Sequence, residues 1–349
     1  MTTPNRALSA HSTAEDLLDE SDDLEEGLPL RIRGLRRQQP PRSKRPAHRP
    51  VFRDVAEEGQ GRIVSEFSSS GEDGGYPMSY TPARFEEVWL RSSLRSFYDQ
   101  DLISDVLAQI KGGKEANVYR CQAHPRTGVE LLAAKVYRPR KFRNLANDRV
   151  YREGRPILTG EGRPVKASDH RIIRAVDKKT DFGVQVQHTS WLMYEYTTLE
   201  QLSAAGGAVP KPIAANENAI LMGYQGDAYR AAPALHQISL RPREARRLFD
   251  EVLRNVELLL QHGLIHGDLS AYNILYWEGQ ITLIDFPQVA SVDTNRNAED
   301  LLRRDVRRVC DYFARQGVPS DAIAIAQNLW QRYGIPDDPA LSFVEEDLE

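Results

Sequence analysis

Cysteine is scarce in this chain: two occur among 349 residues, Cys121 and Cys310, far apart in sequence. Neither has a second Cys at metal-ligand spacing. A disulfide framework or a zinc site is therefore not expected, and a reducing compartment is the default. Long apolar runs are missing too. The longest candidate, around Val256–Leu264, is broken by Glu257 and by Gln261-His262-Gly263. It falls short of the roughly 18–20 residues that cross a bilayer. The first residues hold no apolar core of the signal-peptide kind, so a cytoplasmic location without a membrane partner is the expectation. An excess of one charge is also lacking: 46 Lys and Arg stand against 50 Asp and Glu, a net charge of −4 that names no partner.

What is present is a globular composition with a polar extension, 40% hydrophobic and 28% charged. Residues 1–80 read as a disordered tail. An acidic block from Glu15 to Glu26 precedes a basic block from Arg31 to Arg53, interleaved with Pro40, Pro41, Pro46 and Pro50, and Ser68-Ser69-Ser70-Gly71 follows. Such a segment buries too little apolar surface to offset an ordering entropy of roughly 1–2 kcal/mol per residue. The basic block reads either as a solvated stretch neutralising its acidic neighbour or as a contact for ribosomal or other RNA.

Order is expected from about Arg84, with a helix running from Phe85 towards Tyr98. Residues 116–121 and 131–137 read as two strands joined by a polar turn at Pro125–Gly128. The polar section holding Gly154, Gly160 and Gly162 reads as a mobile loop. Trp191–Leu202 reads as a helix ended by Gly206-Gly207, and Ala219–Met222 as a buried strand. Past Pro242, which suits the first turn of a helix, Leu248, Val252, Val256 and Leu260 recur every four residues and form an apolar stripe. Strands at 273–276 and 280–284 flank a turn at Glu278-Gly279. A further helix carries Leu302, Val306, Val309 and Phe313 on one face, and a shorter one follows Pro319. Strands first and helices later predict an α+β protein of two lobes, divided as 1–80 tail, 81–224 leading helix and N-lobe, and 225–349 C-lobe.

The residues with chemistry gather in two places. His266-Gly267-Asp268-Leu269-Ser270-Ala271-Tyr272-Asn273 is followed by Asp285-Phe286-Pro287. If the strands after Asn273 and before Asp285 pair as a hairpin, those two residues emerge at one end. Two converging oxygen ligands suit Mg²⁺, which takes its remaining ligands from phosphates and water. Asp268 on the adjoining loop is then placed to accept a hydroxyl proton or orient a nucleophile. Singly, each is a common turn residue; jointly, they read as a site. Upstream, Gly112 and Gly113 precede a strand, where glycine lets backbone N–H groups approach phosphate oxygens. Lys135 lies within the apolar run Ala133–Tyr137. An unpaired ammonium there costs several kcal/mol, so Lys135 either snorkels at a strand end or meets an anion. Glu195 is the candidate partner, the alternative being an exposed helix glutamate.

These motifs resemble the RIO family of atypical serine protein kinases. Gly113-Lys114-Glu115-Ala116-Asn117-Val118-Tyr119 resembles that family's phosphate loop, His266–Leu275 its catalytic loop, and Ile284-Asp285-Phe286-Pro287-Gln288 its metal loop, over about Leu94–Gly317. The resemblance implies a bilobal protein-kinase-like fold, with an N-lobe antiparallel sheet and one helix above a mainly helical C-lobe. It implies ATP with Mg²⁺ (or Mn²⁺), Asp268 as catalytic aspartate, Asn273 and Asp285 as metal ligands, and a catalytic part for Asp285 as aspartyl-phosphate. Gly112, Gly113, Lys114 and Val118 would flank the nucleotide, Lys135 would contact its phosphates and Glu195 would pair with Lys135. The backbone of Met222–Gln225 would lie beside adenine, with Gly223 where the family often has Glu. The acceptor would be a protein hydroxyl, the chain's own Ser68–Ser70 included, or water. Only about fifteen residues separate Asp285 from the helix at Leu301, with no Ala-Pro-Glu, so peptide docking of the usual kinase sort is not expected. The rival readings are a small-molecule kinase of the aminoglycoside or choline type and a nucleotide-gated scaffold binding ribosome or RNA through Arg31–Arg53.

Overall fold

Alternation of side chains across a pleated sheet organises the first half of the molecule. Five strands, β1 (Ile103–Gly112), β2 (Ala116–Ala123), β3 (Leu131–Tyr137), β4 (Pro212–Ala215) and β5 (Ala219–Gly223), form an antiparallel sheet in the order β1-β2-β3-β5-β4. β3 is buried on both faces because each face has its own cover. Leu132, Ala134 and Val136 join the cluster under helix α1 (Arg84–Asp99), with Trp89, Leu90, Leu94 and Phe97. Ala133 and Tyr137 point the other way, into the larger cluster under helix α3 (Asp181–Ala204). Lys135 shares that second parity and so lies on the inner face.

The coordinates are a computed structural model that describes residues 76–138 and 153–334, all within one unit spanning Val55–Glu349. The basic block Arg31–Arg53 and Ser68–Ser70 lie outside the described residues. The chain is packed from Tyr76 onward, ahead of the expected Arg84: the Tyr76 ring stacks on Tyr98 at 3.7 Å, and the Tyr80 N–H donates to the Val106 carbonyl at 2.8 Å.

Several elements depart from expectation. β1 was not foreseen because three register shifts against β2 break its alternation. Much of the expected loop after Gly162 is helical: α2 (His170–Asp177) precedes α3, which starts ten residues before Trp191 with the Thr180 hydroxyl capping the Gly183 N–H at 3.1 Å. Only Gly183 and Ser190 are buried in the first ten residues of α3, so no apolar stripe marks its start.

The second half is helical, as expected. Helix α4 (Pro242–Gln261) and helices α5 (Ala298–Arg315) and α6 (Ala322–Tyr333) enclose the larger core. Between α4 and α5 the chain forms β6 (Leu264–Ile265), β7 (Ile274–Trp277), β8 (Gln280–Leu283) and β9 (Ala290–Ser291), pairing β7 with β8 and β6 with β9. The molecule is thus an α+β protein with an antiparallel sheet lobe and a mainly helical lobe. Among the described residues no helix is long and apolar enough to cross a membrane.

Candidate active site

A cavity of about 580 Å³ opens between sheet and helices, and its wall includes Gly113, Lys114, Lys135, Glu195, Asp268 and Asp285. Val118, Met222 and Gln225 line it too, whereas Gly112 and Asn273 are absent from its wall. Gly112 instead closes β1, paired with Asn117. Gly113 makes the tight approach: a Cβ there would sit 2.8 Å from the Ala116 carbonyl oxygen. Behind it, the Asn117 carboxamide oxygen accepts from the Gly113 N–H at 3.4 Å.

Lys135 is the electrostatic centre. Its Nζ lies 2.7 and 2.9 Å from the two carboxylate oxygens of Glu195 and 2.7 Å from Asp285 Oδ1. The snorkelling alternative is therefore set aside, and so is an exposed Glu195, which is only 1% accessible and also accepts from the Tyr137 hydroxyl. Burial alone would lower the ammonium's pKa; the carboxylates of Asp285 and Glu195 overcome it and hold the group above its ordinary value. Burial likewise opposes ionisation of Asp285, yet the Lys135 charge keeps its carboxyl below the usual range.

The hairpin forms as anticipated. The Ile284 N–H donates to the Asn273 carbonyl at 3.0 Å, extending the β7–β8 ladder and setting Asn273 and Asp285 at one end. Asp285 holds φ +73°, a conformation uncommon outside glycine. Asn273 Nδ2 donates to the Asp268 carbonyl at 2.9 Å and to Asp268 Oδ2 at 3.2 Å, which leaves Asn273 Oδ1 as the acceptor end of that amide. Asp268 Oδ1 meets Arg308 Nη1 at 2.8 Å.

His266 links the two loops. Its Nδ1 accepts the Asp268 N–H at 3.3 Å, so its Nε2 carries the proton and donates to the Ile284 carbonyl at 3.2 Å. Burial pushes its pKa down and keeps the ring neutral.

Asp305 on α5 is a site residue that sequence reasoning missed. It is 2% exposed and accepts the Gly267 N–H at 2.8 Å, pinning the loop that presents Asp268. Burial pushes its pKa up to about 7, against the nearby Arg304 charge. The signal was available: Asp305 sits at i+3 from Leu302, on the apolar stripe of Leu302, Val306 and Val309.

The expected adenine-side backbone is partly committed elsewhere. The Gly223 N–H donates to the Lys211 carbonyl at 2.8 Å, and the Gln225 carbonyl accepts from the Ala232 N–H at 2.9 Å. These two groups are turned to the residue before β4 and to the following loop, because the strand edge there still has neighbours to pair with.

Comparison with known proteins follows the same motifs. A family model described as RIO domain matches residues 161–325. Serine/threonine-protein kinase RIO1 of Chaetomium thermophilum is 34% identical over 239 residues, covering 65% of this chain and 43% of that protein. RIO-type serine/threonine-protein kinase Rio1 of Haloferax volcanii is 33% identical over 213 residues, 61% of this chain and 64% of that one. The Rio1 protein of Thermoplasma acidophilum is 30% identical over 131 residues, 38% of this chain and 67% of the relative. The chain therefore spans between 43% and 67% of the length of these three relatives. Likeness of this extent carries the question of descent: the chain belongs to the RIO family.

Proposed function

We propose that this protein is a Mg²⁺-dependent, ATP-using phosphotransferase of the serine/threonine protein-kinase kind. It would pass the γ-phosphoryl group to a protein hydroxyl, its own included, or to water through an aspartyl-phosphate at Asp285. One observation carries the reading: Lys135 Nζ is held 2.7 Å from both Glu195 and Asp285 at the wall of a cavity that Asp268 also lines. A buried lysine held between two carboxylates, with ionisation shifted by the pairing, is the kind of arrangement that gathers at functional sites.

The residues fit the nucleotide and metal. Among the described residues no group of three or more His, Cys, Asp or Glu side chains could hold a metal by itself. An ion here would complete its shell with phosphate oxygens and water, which is the habit of Mg²⁺. Asp285 supplies a carboxylate and Asn273 a carboxamide oxygen, both hard donors. Gly113 keeps its loop tight at the cavity wall, since a Cβ there would meet the Ala116 carbonyl oxygen at 2.8 Å. When bound, the metal would neutralise charge on the β- and γ-phosphates.

The remaining roles belong to the chain. Asp268, steadied by Arg308 and Asn273, keeps lone pairs to take the acceptor's proton as the acceptor oxygen bonds to phosphorus and ADP departs. Lys135 offers its charge to the phosphates, and Glu195 and Tyr137 hold it there. Val118 and Met222 give the nucleotide an apolar wall, with Lys114 and Gln225 at its edges. Two free, buried cysteines accord with a cytoplasmic setting. RNA or ribosome contact through Arg31–Arg53 would be tested by retention at two salt concentrations, before and after removing residues 1–80.

The deciding experiment is a single-turnover reaction with γ-labelled ATP and Mg²⁺. Label on serine or threonine, on aspartate, or released as phosphate in a Mg²⁺-dependent manner supports the reading. Label appearing only on an added metabolite assigns the rival small-molecule kinase, and no turnover with any acceptor overturns catalysis.

A further inference from the structure

A short segment ahead of α2 binds both halves of the site. In the segment 153–158, Arg155 Nη2 donates to the Pro287 carbonyl at 3.0 Å and also to the Val289 carbonyl. Its guanidinium carbon lies 4.8 Å from the centroid of the Tyr194 ring, one residue before Glu195 on α3. The Leu158 N–H donates to the Ser190 hydroxyl on the same helix at 2.9 Å, and Leu158 is buried. On the opposite side Gly154, at φ +76°, lies so close to Thr294 that any Cβ would collide with it. Glu153 reaches Arg296 at 3.4 Å.

We infer that Arg155 is a positioning residue for Asp285, locking the loop 285–289 to the helix that carries Glu195. The inference rests on the proposed role of Asp285 in holding the metal. The physical need is visible in the loop. Asp285 adopts a left-handed conformation that persists only where its surroundings determine it. Phe286 and Val289 are buried and anchor the loop from the core side. The carbonyls of Pro287 and Val289 point to Arg155. One terminal nitrogen of Arg155 serves both carbonyls while the planar guanidinium lies over the Tyr194 ring; lysine, a point charge on a flexible stem, could reach the carbonyls but would give up the stacking that ties them to α3. Arg155 touches neither substrate nor metal ligand directly. It acts through the backbone that aims the Asp285 carboxylate, so a movement of α3 would be felt at Asp285 as well as at Lys135.

The test is calorimetric titration of ADP into the full-length protein with and without Mg²⁺, for wild type, Arg155→Ala, Arg155→Lys and Gly154→Ala. Wild type should bind ADP more tightly with the metal. In the three variants metal-free ADP affinity should stay within about twofold, while the Mg²⁺-dependent gain falls by about 10- to 100-fold, the usual cost of losing a partner that orients a metal ligand. A purely structural role would lower melting temperature and leave the Mg²⁺ gain intact. Arg155→Lys and Gly154→Ala keep the test decisive should Arg155→Ala not fold. Variants that retain the wild-type gain overturn this inference alone. A wild type that binds ADP equally with and without Mg²⁺ overturns both the inference and the phosphotransfer reading beneath it.

Discussion

Asp305→Asn should make the protein progressively more stable than wild type as pH rises. The asparagine is nearly isosteric and can still accept the Gly267 N–H, which Asp305 now takes at 2.8 Å. What it removes is a buried charge. Burial raises the Asp305 carboxyl from an ordinary 3.8 to about 7, a displacement of roughly three pH units. At about 1.4 kcal/mol per unit this amounts to ~4 kcal/mol. The sign follows from linkage: between those two values the folded chain keeps a proton that the unfolded chain has released. The penalty is therefore absent below the lower value and complete above the upper, so this group makes wild-type stability fall as pH rises across that window. Asparagine carries no such term. Urea denaturation of both proteins, at half-unit steps from pH 4 to 8, gives the difference, because titrating groups not coupled to Asp305 cancel. The variant should gain up to ~4 kcal/mol relative to wild type across the series. A constant offset from the altered amide contacts would displace the curve without tilting it. A difference that is flat with pH, or that tilts the other way, would refute the reasoning.

Asp268→Ala should reduce turnover by about 10²–10⁴-fold, the ordinary worth of a positioned general base, with nucleotide affinity preserved; equal turnover in a single-turnover assay removes Asp268 from the chemistry. Lys135→Ala leaves the Glu195 carboxylate buried and unpaired beside Asp285. Loss of a buried partner commonly costs about 3–5 kcal/mol, so its melting temperature should drop and its affinity for ADP weaken in calorimetry. Unchanged affinity would end the assigned role. Gly113→Ala places a Cβ 2.8 Å from the Ala116 carbonyl. ADP affinity should decline with no change in far-UV circular dichroism, and an unaltered affinity would show that this loop lies apart from the nucleotide.

The site was legible wherever a residue type clashed with its local pattern. Lys135 within an apolar strand demanded anions, and two lie 2.7 Å away. The spacing of Asn273 and Asp285 around a hairpin turn foretold the bond from Ile284 to Asn273 that aligns them. The amphipathic stripes of α4 and α5 fixed those helices because each has one buried face. Where periodicity was spoiled, reading failed. Bulges hid β1, and the first ten residues of α3, with only Gly183 and Ser190 buried, carry no apolar stripe that would mark a helix. Asp305 passed as one more charge in Arg303-Arg304-Asp305, although its place on the buried stripe was itself the signal. Arg155 was unreadable for a different reason: its partners are main-chain carbonyls more than 130 residues away, and carbonyls leave no trace in residue identity.

The bonds of Lys135 reach 60 residues forward to Glu195 and 150 residues forward to Asp285. A chain emerging from the ribosome therefore completes the sheet and α3 long before the second carboxylate exists. Until Asp285 is made, the ammonium has a single counter-ion, and the emerging sheet lobe carries its charges in a different balance from that of the finished protein. A nascent fragment stalled short of residue 285 should thus be softer around this lysine and cut more readily by protease there. Completing the last third of the chain would close the electrostatic circuit and lock the first.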